Sequence, residues 1–321
     1  MSVLVYAENW DGRFKKSSFE LISYSAGIAD MLETSLTAVS IGKVDDDELK
    51  KLGDYGADKI LKIEDEKLKW LDNKIYAETI AIVARSENAK VIVLSNNNTG
   101  KAVAPGLSVR LKAAVGTGVI ALPDSTDPFK ITKKVFSGKA IAHVVLKTDV
   151  KILTLTQNSF EPAVKRNRVE IVPLQVEVPA PAIKVKDIKK QTGKILLTDA
   201  EIVVSGGRGM KSPDNWGVIE ELANILGAAT ACSRPVSDEG WRPHEEHTGQ
   251  TGKIISPNLY IAAGISGAIQ HMAGVSSSRC IVAINSDADA PVFEYADYGI
   301  VGDVLKVLPE FTEAVKKAKN R

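Results

Sequence analysis

Three glycine-rich turns in the second half of the chain carry the residues best suited to chemistry. A strand, a tight turn and a helix start together favour negative charge, because unpaired amides and the helix dipole converge there. The pattern therefore predicts a site for a phosphate or pyrophosphate, and a dinucleotide is the first ligand to test. The turns read Ser205-Gly-Gly-Arg-Gly209, Gly249-Gln-Thr-Gly-Lys253 and Gly264-Ile-Ser-Gly-Ala-Ile-Gln-His271.

Two arginines stand just after predicted strands, Arg208 after 201–205 and Arg234 after 228–232. A guanidinium can hold a phosphate through two parallel hydrogen bonds, and open α/β sheets bind ligands at the carboxyl ends of their strands. Taken alone, the turn at Arg208 could be an ordinary turn, and Arg234 could form a surface ion pair. His271 could be a hydrogen-bonded packing histidine.

The turn that ends in Gly252-Lys253 invites comparison with a P-loop, but its spacing is wrong. The first P-loop glycine is missing, and Ile254 stands where Ser or Thr is required. ATP hydrolysis is therefore not expected. The hydroxyl of Thr251 and the amide of Gln250 are instead suited to hydrogen-bonding the edge of a planar ring.

His244 and His247 are two of four histidines, and they raise the question of a metal site. The zincin motif needs histidines four residues apart on a helix, whereas these are three apart with Pro243 before them. We expect a solvated loop and no bound metal.

The composition is that of a soluble globular protein, with 44% hydrophobic and 25% charged residues among 321. A formal net charge of +1 gives no electrostatic reason to expect nucleic acid or an anionic membrane as the main partner. No apolar run reaches membrane-spanning length, so no direct membrane insertion is expected. Cys232 and Cys280 cannot build a disulfide framework, which favours a reducing compartment. We expect a cytoplasmic protein, or one of the mitochondrial matrix if a transit segment has been removed.

Short apolar runs alternate with longer amphipathic ones through the first half, which predicts β-α-β units and a mostly parallel sheet. A strand is predicted at 119–122, with Gly116-Thr-Gly118 as the turn before it. Runs at 133–136 and 140–146 flank Ser137-Gly138 and predict an antiparallel hairpin. Asn96-Asn-Asn-Thr-Gly-Lys101 also resembles a phosphate loop, but a subunit contact or a plain turn is the better explanation.

The composition changes from Ile171 to Gly193, where prolines and then lysines favour extended chain. A second alternating series of strands and helices follows. The predicted fold class is therefore α/β, with two α/β domains whose sheets are mostly parallel. We predict an N-terminal domain over 1–185, a linker over 186–197 and a Rossmann-like, cofactor-binding domain over 198–321.

Read in order, these motifs closely resemble the FAD-binding domain of the electron transfer flavoprotein α subunit. The resemblance extends to the first domain through Val3-Leu-Val-Tyr-Ala-Glu8 and Asn158-Ser-Phe-Glu-Pro162. The motifs that carry it in the second domain are the three glycine-rich turns, Cys232-Ser-Arg-Pro235, Tyr260-Ile-Ala-Ala263, Ile281-Val-Ala-Ile-Asn-Ser-Asp287 and Asp297-Tyr-Gly-Ile-Val-Gly-Asp303.

The resemblance implies a heterodimer with a β subunit, in which the α subunit holds one FAD and the β subunit holds AMP or a second FAD. It implies an electron carrier and not an enzyme with its own substrate. Electrons would pass one at a time from flavin dehydrogenases, such as the acyl-CoA dehydrogenases of fatty acid β-oxidation, to a membrane electron transfer flavoprotein-quinone oxidoreductase.

The resemblance also implies roles for particular residues. Arg208 would meet the phosphates, the turn 264–271 would cradle the pyrophosphate, and Asn285 and Asp303 would reach the adenosine end. Arg234 would lie over the flavin ring and His271 near its C2 oxygen, where both would favour the negative charge of one-electron reduction. The full implied set is Arg208, Ser233, Arg234, Thr248, Gly249, Gln250, Thr251, Gly264, Ser266, Gly267, Ala268, Ile269, Gln270, His271, Asn285 and Asp303, with no catalytic residue and no metal ligand.

The chain departs from the family's commonest pattern at Glu245-Glu-His-Thr248, where Gln-Val is frequent. This departure leaves open how the loop packs and whether His247 or Thr248 touches the flavin. Two other functions also fit the fold. A homomeric NAD- or FAD-dependent enzyme would need its own acid-base residue, and a scaffold protein would show no flavin spectrum.

Overall fold

The protein is described by a computed structural model over residues 2–136, 138–166, 168–188 and 195–319. These residues form two compact units. The first unit contains 2–135 and 141–188, and the second contains 136, 138–140 and 195–319. Half of the predicted linker, 189–194, lies outside the described residues.

A large mixed sheet organises the first unit. Its strand order is β10-β9-β7-β11-β6-β1-β4-β5-β12, with β8 paired to β9. The run from β7 to β12 is parallel, β9 is antiparallel to β7, and β2 and β3 form a separate hairpin. The elements are β1 (Ser2–Tyr6), β2 (Asn9–Trp10), β3 (Arg13–Phe14), α1 (Lys16–Met31), β4 (Ser35–Ile41), α2 (Asp46–Asp54), β5 (Lys59–Ile63), α3 (Asn73–Ser86), β6 (Ala89–Ser95), α4 (Asn98–Leu111), β7 (Ala114–Val119), β8 (Ser125–Thr126), β9 (Phe129–Val135), β10 (Ala140–Val145), β11 (Lys151–Leu155) and β12 (Glu170–Pro173).

Strand β1 shows why its sequence is apolar without alternation. Val3 and Val5 belong to a buried cluster with residues of α1 and α2, whereas Leu4 and Tyr6 belong to a second cluster with residues of α3 and α4. A parallel strand with helices on both faces of its sheet buries every side chain, so period-two patterning disappears.

The glycines at 116 and 118 were predicted to form a turn, and this prediction is wrong. Gly116 and Gly118 lie inside β7, which ends at Val119 where a strand was expected to begin. A Cβ at Gly116 would come 2.5 Å from Ile131 Cδ1 and 3.1 Å from Leu153 Cδ2. Glycine is needed there because side chains of neighbouring strands fill the space above the backbone.

The extended chain that follows Ile171 is partly a strand. Residues Glu170–Pro173 pair in parallel with β5 at the sheet edge, and Val178 is buried in the same unit. Prolines are tolerated here because an edge strand bonds along one side only.

The second unit is a five-stranded parallel sheet with the order β14-β13-β15-β16-β17. Val203 of β13 packs on the α7 side of the sheet, and Val204 packs on the side of α5 and α8. The predicted fold class is confirmed. The elements are β13 (Ile202–Gly206), α5 (Gly217–Leu226), β14 (Ala229–Cys232), α6 (Arg234–Asp238), β15 (Leu259–Ala263), α7 (Ile269–Val275), β16 (Ile281–Asn285), β17 (Tyr298–Val301) and α8 (Val304–Lys319).

The strand order of this sheet reverses between β13 and β15. In a doubly wound sheet the loops at such a reversal diverge to opposite faces and leave a crevice at the carboxyl ends of the strands. Among the described residues of both units, no helix is long and apolar enough to cross a membrane.

Candidate functional site

At the carboxyl ends of β13 and β15, two turns pack backbone to backbone. Gly207 N donates to Ala263 O and Gly209 N donates to Gly264 O, both at 2.9 Å. A Cβ at Gly207 would lie 2.2 Å from Gly264 O, closer than any real side chain approaches. The turn after β13 and the turn after β15 therefore touch only because both are made of glycine.

Two further glycines fix the path of the chain into α7. Gly264 and Gly267 adopt φ of +63° and +83°, and a Cβ at Gly267 would lie 2.3 Å from Val292 N. Val292 N also donates to Ser266 O at 3.0 Å. Glycine is therefore required in this turn for two reasons, its positive φ and the lack of space for a side chain. The motif alone did not reveal the second reason.

None of the described side chains caps the backbone amides at the start of α7. The first N–H groups of a helix have no partner within it, and Ala268 at the N-cap has no side chain that could accept from them. Ser266, Ala268, Ile269 and Gln270 are exposed beside these amides. Because α7 is only seven residues long, local N–H groups matter more than a macrodipole.

The turn over 247–253 packs against α7 and β14. Thr248 N donates to Cys232 O at 3.1 Å, and Gln250 N donates to Gln270 O at 2.7 Å. A Cβ at Gly274 would lie 2.5 Å from Gly249 Cα, so helix and turn are in direct backbone contact. This contact leaves the side chains of Gln250 and Thr251 exposed beside α7, and Thr248 is buried.

Ser233 and Arg234 follow β14 at the same edge. Ser233 N donates to Gly206 O at 3.1 Å, which ties the start of α6 to the end of β13. The Arg234 side chain is 65% exposed, and its Nε lies 3.3 Å from Asp238 Oδ2. Arg208 is also exposed. Both arginines can therefore turn toward a ligand, and neither has a buried ion pair to break.

His271 is the buried polar group of the site. Its Nε2 lies 2.8 Å from the hydroxyl of Tyr260. Its Nδ1 has no hydrogen-bond partner among the described residues. Burial lowers the pKa of His271 to about 4, and the Thr248 backbone opposes this only partly. The ring is therefore neutral at physiological pH, and one of its two nitrogens is available for a hydrogen bond to a ligand.

Asn285 and Asp303 are held by contacts of their own. Asn285 Nδ2 donates to Ile265 O at 2.9 Å, which braces the turn after β15 from β16. The Asp303 carboxylate accepts hydrogen bonds from Leu305 N at 3.0 Å and from Lys211 Nζ at 2.9 Å. The lysine lowers the pKa of Asp303. Their contact with an adenosine stays a prediction.

The expectation of a solvated loop at the two histidines is wrong for His247, which is only 2% exposed. The backbone of His247 forms an isolated parallel β-bridge with Cys232. A Cβ at Gly252 would lie 2.9 Å from the His247 ring. Burial, followed by the nearby His244, lowers the pKa of His247. Among the described residues, no group of three or more His, Cys, Asp or Glu side chains could hold a metal ion.

A buried ion pair explains how the unusual loop before Gly249 is held. Arg242 Nε and Nη2 each donate to Glu246 at 2.8 Å, and Nη1 donates to Glu220 at 2.9 Å. The guanidinium also lies 5.5 Å above the Trp216 ring. A Cβ at Gly206 would lie 2.4 Å from that ring, so the cluster reaches the end of β13.

Sequence reasoning missed Tyr260, Trp216 and Arg242 as supports of the site. Tyrosine on a fully buried strand signals a polar partner, since its hydroxyl needs one. That signal could have identified Tyr260 but not which residue it bonds. Nothing in the spacing indicated the Arg242 pair.

In the first unit, the loop that resembles a phosphate loop is already occupied by a side chain of the protein. Asn97 Nδ2 and Thr99 Oγ1 donate to the Glu8 carboxylate at 2.5 and 2.6 Å. A carboxylate thus takes the place at the start of α4 that a ligand anion would need. The cofactor site is sought in the second unit.

A doubly wound parallel sheet with glycine turns and an uncapped helix start at its strand reversal has the architecture of nucleotide-binding α/β domains. Residues 196–276 match the family model described as the electron transfer flavoprotein FAD-binding domain, and residues 3–181 match the electron transfer flavoprotein domain. The chain belongs to the electron transfer flavoprotein alpha-subunit family, as the motifs predicted.

Relatives match along nearly the whole chain. The electron transfer flavoprotein subunit alpha of Syntrophomonas wolfei is 34% identical, with 98% of each chain covered. That of Bacillus subtilis is 35% identical, with 98% of this chain and 97% of the relative covered. The probable mitochondrial subunit alpha of Caenorhabditis elegans is 35% identical, with 98% and 93% covered.

The residues present fit an FAD. The amides at the start of α7 and the exposed guanidinium of Arg208 suit a pyrophosphate. The unpartnered Nδ1 of His271 suits a ring heteroatom, because a buried polar nitrogen without a partner is unfavourable until a ligand supplies one.

Proposed function

We propose that this chain is the α subunit of a heterodimeric electron transfer flavoprotein and binds one FAD in its second unit. It carries electrons one at a time from flavin dehydrogenases, among them the acyl-CoA dehydrogenases of fatty acid β-oxidation, to a membrane electron transfer flavoprotein-quinone oxidoreductase. It acts as a carrier and converts no substrate of its own. The observation that carries the proposal is that α7 begins without a side-chain cap at the strand reversal and that His271 Nδ1, in the same helix, has no partner among the described residues.

In this role the residues of the chain bind the FAD, orient its ring and tune its reduction potential. The α7 amides and Arg208 hold the pyrophosphate, and Asn285 and Asp303 lie on the adenosine side. Gln250 and Thr251 hydrogen-bond the edge of the ring, with Ser233 and Thr248 beneath them. FAD supplies a ring that accepts and releases electrons singly.

Arg234 and His271 act on the ring differently. Arg234 is positively charged at any physiological pH and stabilises negative charge on the reduced ring. His271 is neutral, since burial lowers its pKa to about 4, so it offers a hydrogen bond and no charge. This refines the sequence-based expectation, in which both side chains were to favour negative charge.

The same lowered pKa weakens the alternative of an independent enzyme. An acid-base catalyst works best when its pKa is near the working pH. His271 was the one clear candidate beside the cofactor, and at a pKa of about 4 it is a poor base at neutral pH.

The test is to co-express the chain with its β subunit, record the absorption spectrum and reduce the complex stepwise without oxygen. We expect flavin bands and two separate one-electron steps. Extracted flavin is then counted per heterodimer. One FAD supports a single site in this chain, with AMP in the β subunit, and two FAD place a second one in the β subunit. A heterodimer that stays colourless after incubation with FAD contradicts the proposal.

A further inference from the structure

Tyr260 and His271 form a buried hydrogen bond between β15 and α7. The phenolic oxygen lies 2.8 Å from His271 Nε2. Tyr260 is 0% exposed and His271 is 7% exposed, so Tyr260 is the deeper of the two. The bond joins the strand that enters the crevice to the helix that lines it, and it fixes the plane of the imidazole ring.

Both groups are neutral, so one proton on each must be placed. Burial raises the pKa of Tyr260, with the hydroxyls of Ser205 and Thr248 opposing it only partly, and the phenol keeps its proton. Burial lowers the pKa of His271 to about 4, and the ring carries a single proton at neutral pH. The remaining question is which ring nitrogen holds that proton.

The surroundings decide between the two arrangements. If Nε2 held the proton and donated to the phenol oxygen, the Tyr260 O–H would need another acceptor. Nε2 lies 2.8 Å from that hydroxyl. The hydroxyls of Ser205 and Thr248 are also nearby, but Ser205 Oγ makes no hydrogen bond among the described residues and Thr248 Oγ1 donates to Cys232 O at 3.3 Å. A core O–H would then be left without an acceptor, which costs about 1–3 kcal/mol.

In the second arrangement, with the ring proton on Nδ1, the Tyr260 O–H has an acceptor. The phenol donates to Nε2, and the ring proton moves to Nδ1, on the less buried residue. The Thr248 carbonyl favours a proton on this ring, since a carbonyl oxygen can only accept. Nδ1 makes no hydrogen bond among the described residues, and this includes the Thr248 carbonyl, so its N–H can donate to a ligand acceptor.

We propose that Tyr260 is a positioning residue that fixes His271 as the neutral Nδ1–H tautomer, so that the site presents one oriented N–H donor. The consequence for the cofactor rests on the proposed function: the donor meets a carbonyl oxygen of the FAD ring. A ring flip of His271 would break the Tyr260 bond, so the donor is in place before the ligand arrives.

The tautomer is measured directly by NMR on the full chain with its β subunit, with and without FAD, using ¹⁵N-labelled histidine. There are four histidines, and the His271 signal is the one lost in His271→Gln. We expect a protonated Nδ1 and a bare Nε2 in the wild type, and a mixture of tautomers in Tyr260→Phe. A protonated Nε2 in the wild type overturns the proposal even if Tyr260→Phe does not fold.

A second readout uses FAD affinity with a matched control. Tyr24 is also fully buried, and its hydroxyl donates to Ala121 O at 3.1 Å in the first unit, so Tyr24→Phe removes a comparable bond elsewhere. We expect Tyr260→Phe to weaken FAD binding roughly five- to tenfold, the effect of one misdirected hydrogen bond. We expect Tyr24→Phe to leave it unchanged.

The outcomes separate this inference from the proposed function. Equal weakening of FAD binding by both variants overturns the positioning role, because general destabilisation then explains the loss. A wild-type complex that binds no FAD overturns the proposed function, while the NMR result still decides the tautomer.

Discussion

At the scale of single residues, the proposed site depends on how burial changes the protonation state of two ionisable side chains. His271 is buried and neutral, whereas Arg234 is exposed and charged. A guanidinium keeps its proton in almost any environment, and an imidazole loses it readily when desolvated. In the proposed site, Arg234 would therefore supply positive charge at the flavin ring, and His271 would supply a directional hydrogen bond.

The lowered pKa of His271 makes the protein less stable in acid. Its folded pKa is about 4 against an ordinary 6.5, so between these values the unfolded chain binds a proton that the folded chain excludes. The free energy of unfolding should fall as pH drops from 6.5 towards 4. The measurement is urea unfolding across this range for wild type and His271→Gln. A difference between wild type and His271→Gln that does not change with pH would contradict the assignment.

Removal of the Arg234 charge should alter redox behaviour more than FAD binding. Arg234→Ala should keep the flavin, because the pyrophosphate contacts lie elsewhere, but should lower the potential of the first electron. Arg234→Lys should recover part of that potential, since the charge returns without the planar fork. Spectroelectrochemical titration of the three proteins measures this. An unchanged potential in Arg234→Ala would refute a position over the ring.

At the scale of elements, the site depends on turns that approach one another without side chains. The turns after β13 and β15 touch at Gly207, Gly209 and Gly264, and the 247–253 turn touches α7 at Gly249 and Gly274. Each contact places one segment's amides or side chains relative to the next. The glycines are therefore as much a packing requirement as a means of binding anions.

A pair of alanine substitutions tests this point. Gly207→Ala places a Cβ 2.2 Å from Gly264 O, whereas Gly217→Ala meets nothing within 4 Å. The first should destabilise the fold by about 1–3 kcal/mol and reduce FAD loading, since the two turns must separate. The second should be neutral or slightly stabilising at the start of α5. Urea unfolding and the flavin-to-protein absorbance ratio measure both effects. Equal loading of FAD in the two variants would count against the packing role.

The Arg242–Glu246 pair should hold the loop that precedes Gly249. Both side chains are largely buried, at 15% and 10% exposure, so Arg242→Met leaves a carboxylate with lost partners. We expect a loss of about 1–3 kcal/mol in the free energy of unfolding. Arg242→Met with Glu246→Leu should recover most of it, because no charge is then stranded. Urea unfolding of both variants checks this, and a double variant less stable than the single one would argue against a charge effect.

At the scale of the whole molecule, the chain combines two α/β units of different kinds. The first has the larger mixed sheet and fills its phosphate-like loop with Glu8, and in the second none of the described side chains caps the start of α7. We propose a domain boundary within 186–197, between an N-terminal domain over 1–185 and an FAD-binding domain over 198–321. The first of these domains is proposed to contact the β subunit.

Limited trypsin digestion tests the proposed boundary. Lys184 and Lys186 are exposed and follow Ala182, whose backbone N donates to Asp72 Oδ2 at 3.3 Å. Trypsin should cleave first at one of these lysines or at Lys189 or Lys190, and the two products should remain folded by circular dichroism. Mass spectrometry identifies the cut. Early cleavage inside a sheet of either unit would contradict two independently folded domains.

Much of this architecture is predictable from local pattern. The apolar runs of β13, β15 and β16 identified buried parallel strands, because such strands carry no alternation, and the motif order identified the family. Gly116 and Gly118 misled the prediction because glycine marks a turn and also marks a crowded strand, and local sequence does not distinguish them. His247 misled it because polar neighbours suggest exposure unless a tertiary contact removes it.

The sequence by itself determined the fold class and the family, and through the resemblance it named the residues that are proposed for the cofactor site. These follow from periodicity and from motifs whose parts are close along the chain. Only the tertiary structure decided that His271 is neutral, that Tyr260 holds its Nε2, and that Arg242 and Glu246 brace the loop before Gly249. The physical reason is that burial and hydrogen-bond partners arise between elements far apart in sequence, and these set the protonation state of a side chain and the direction in which it can donate.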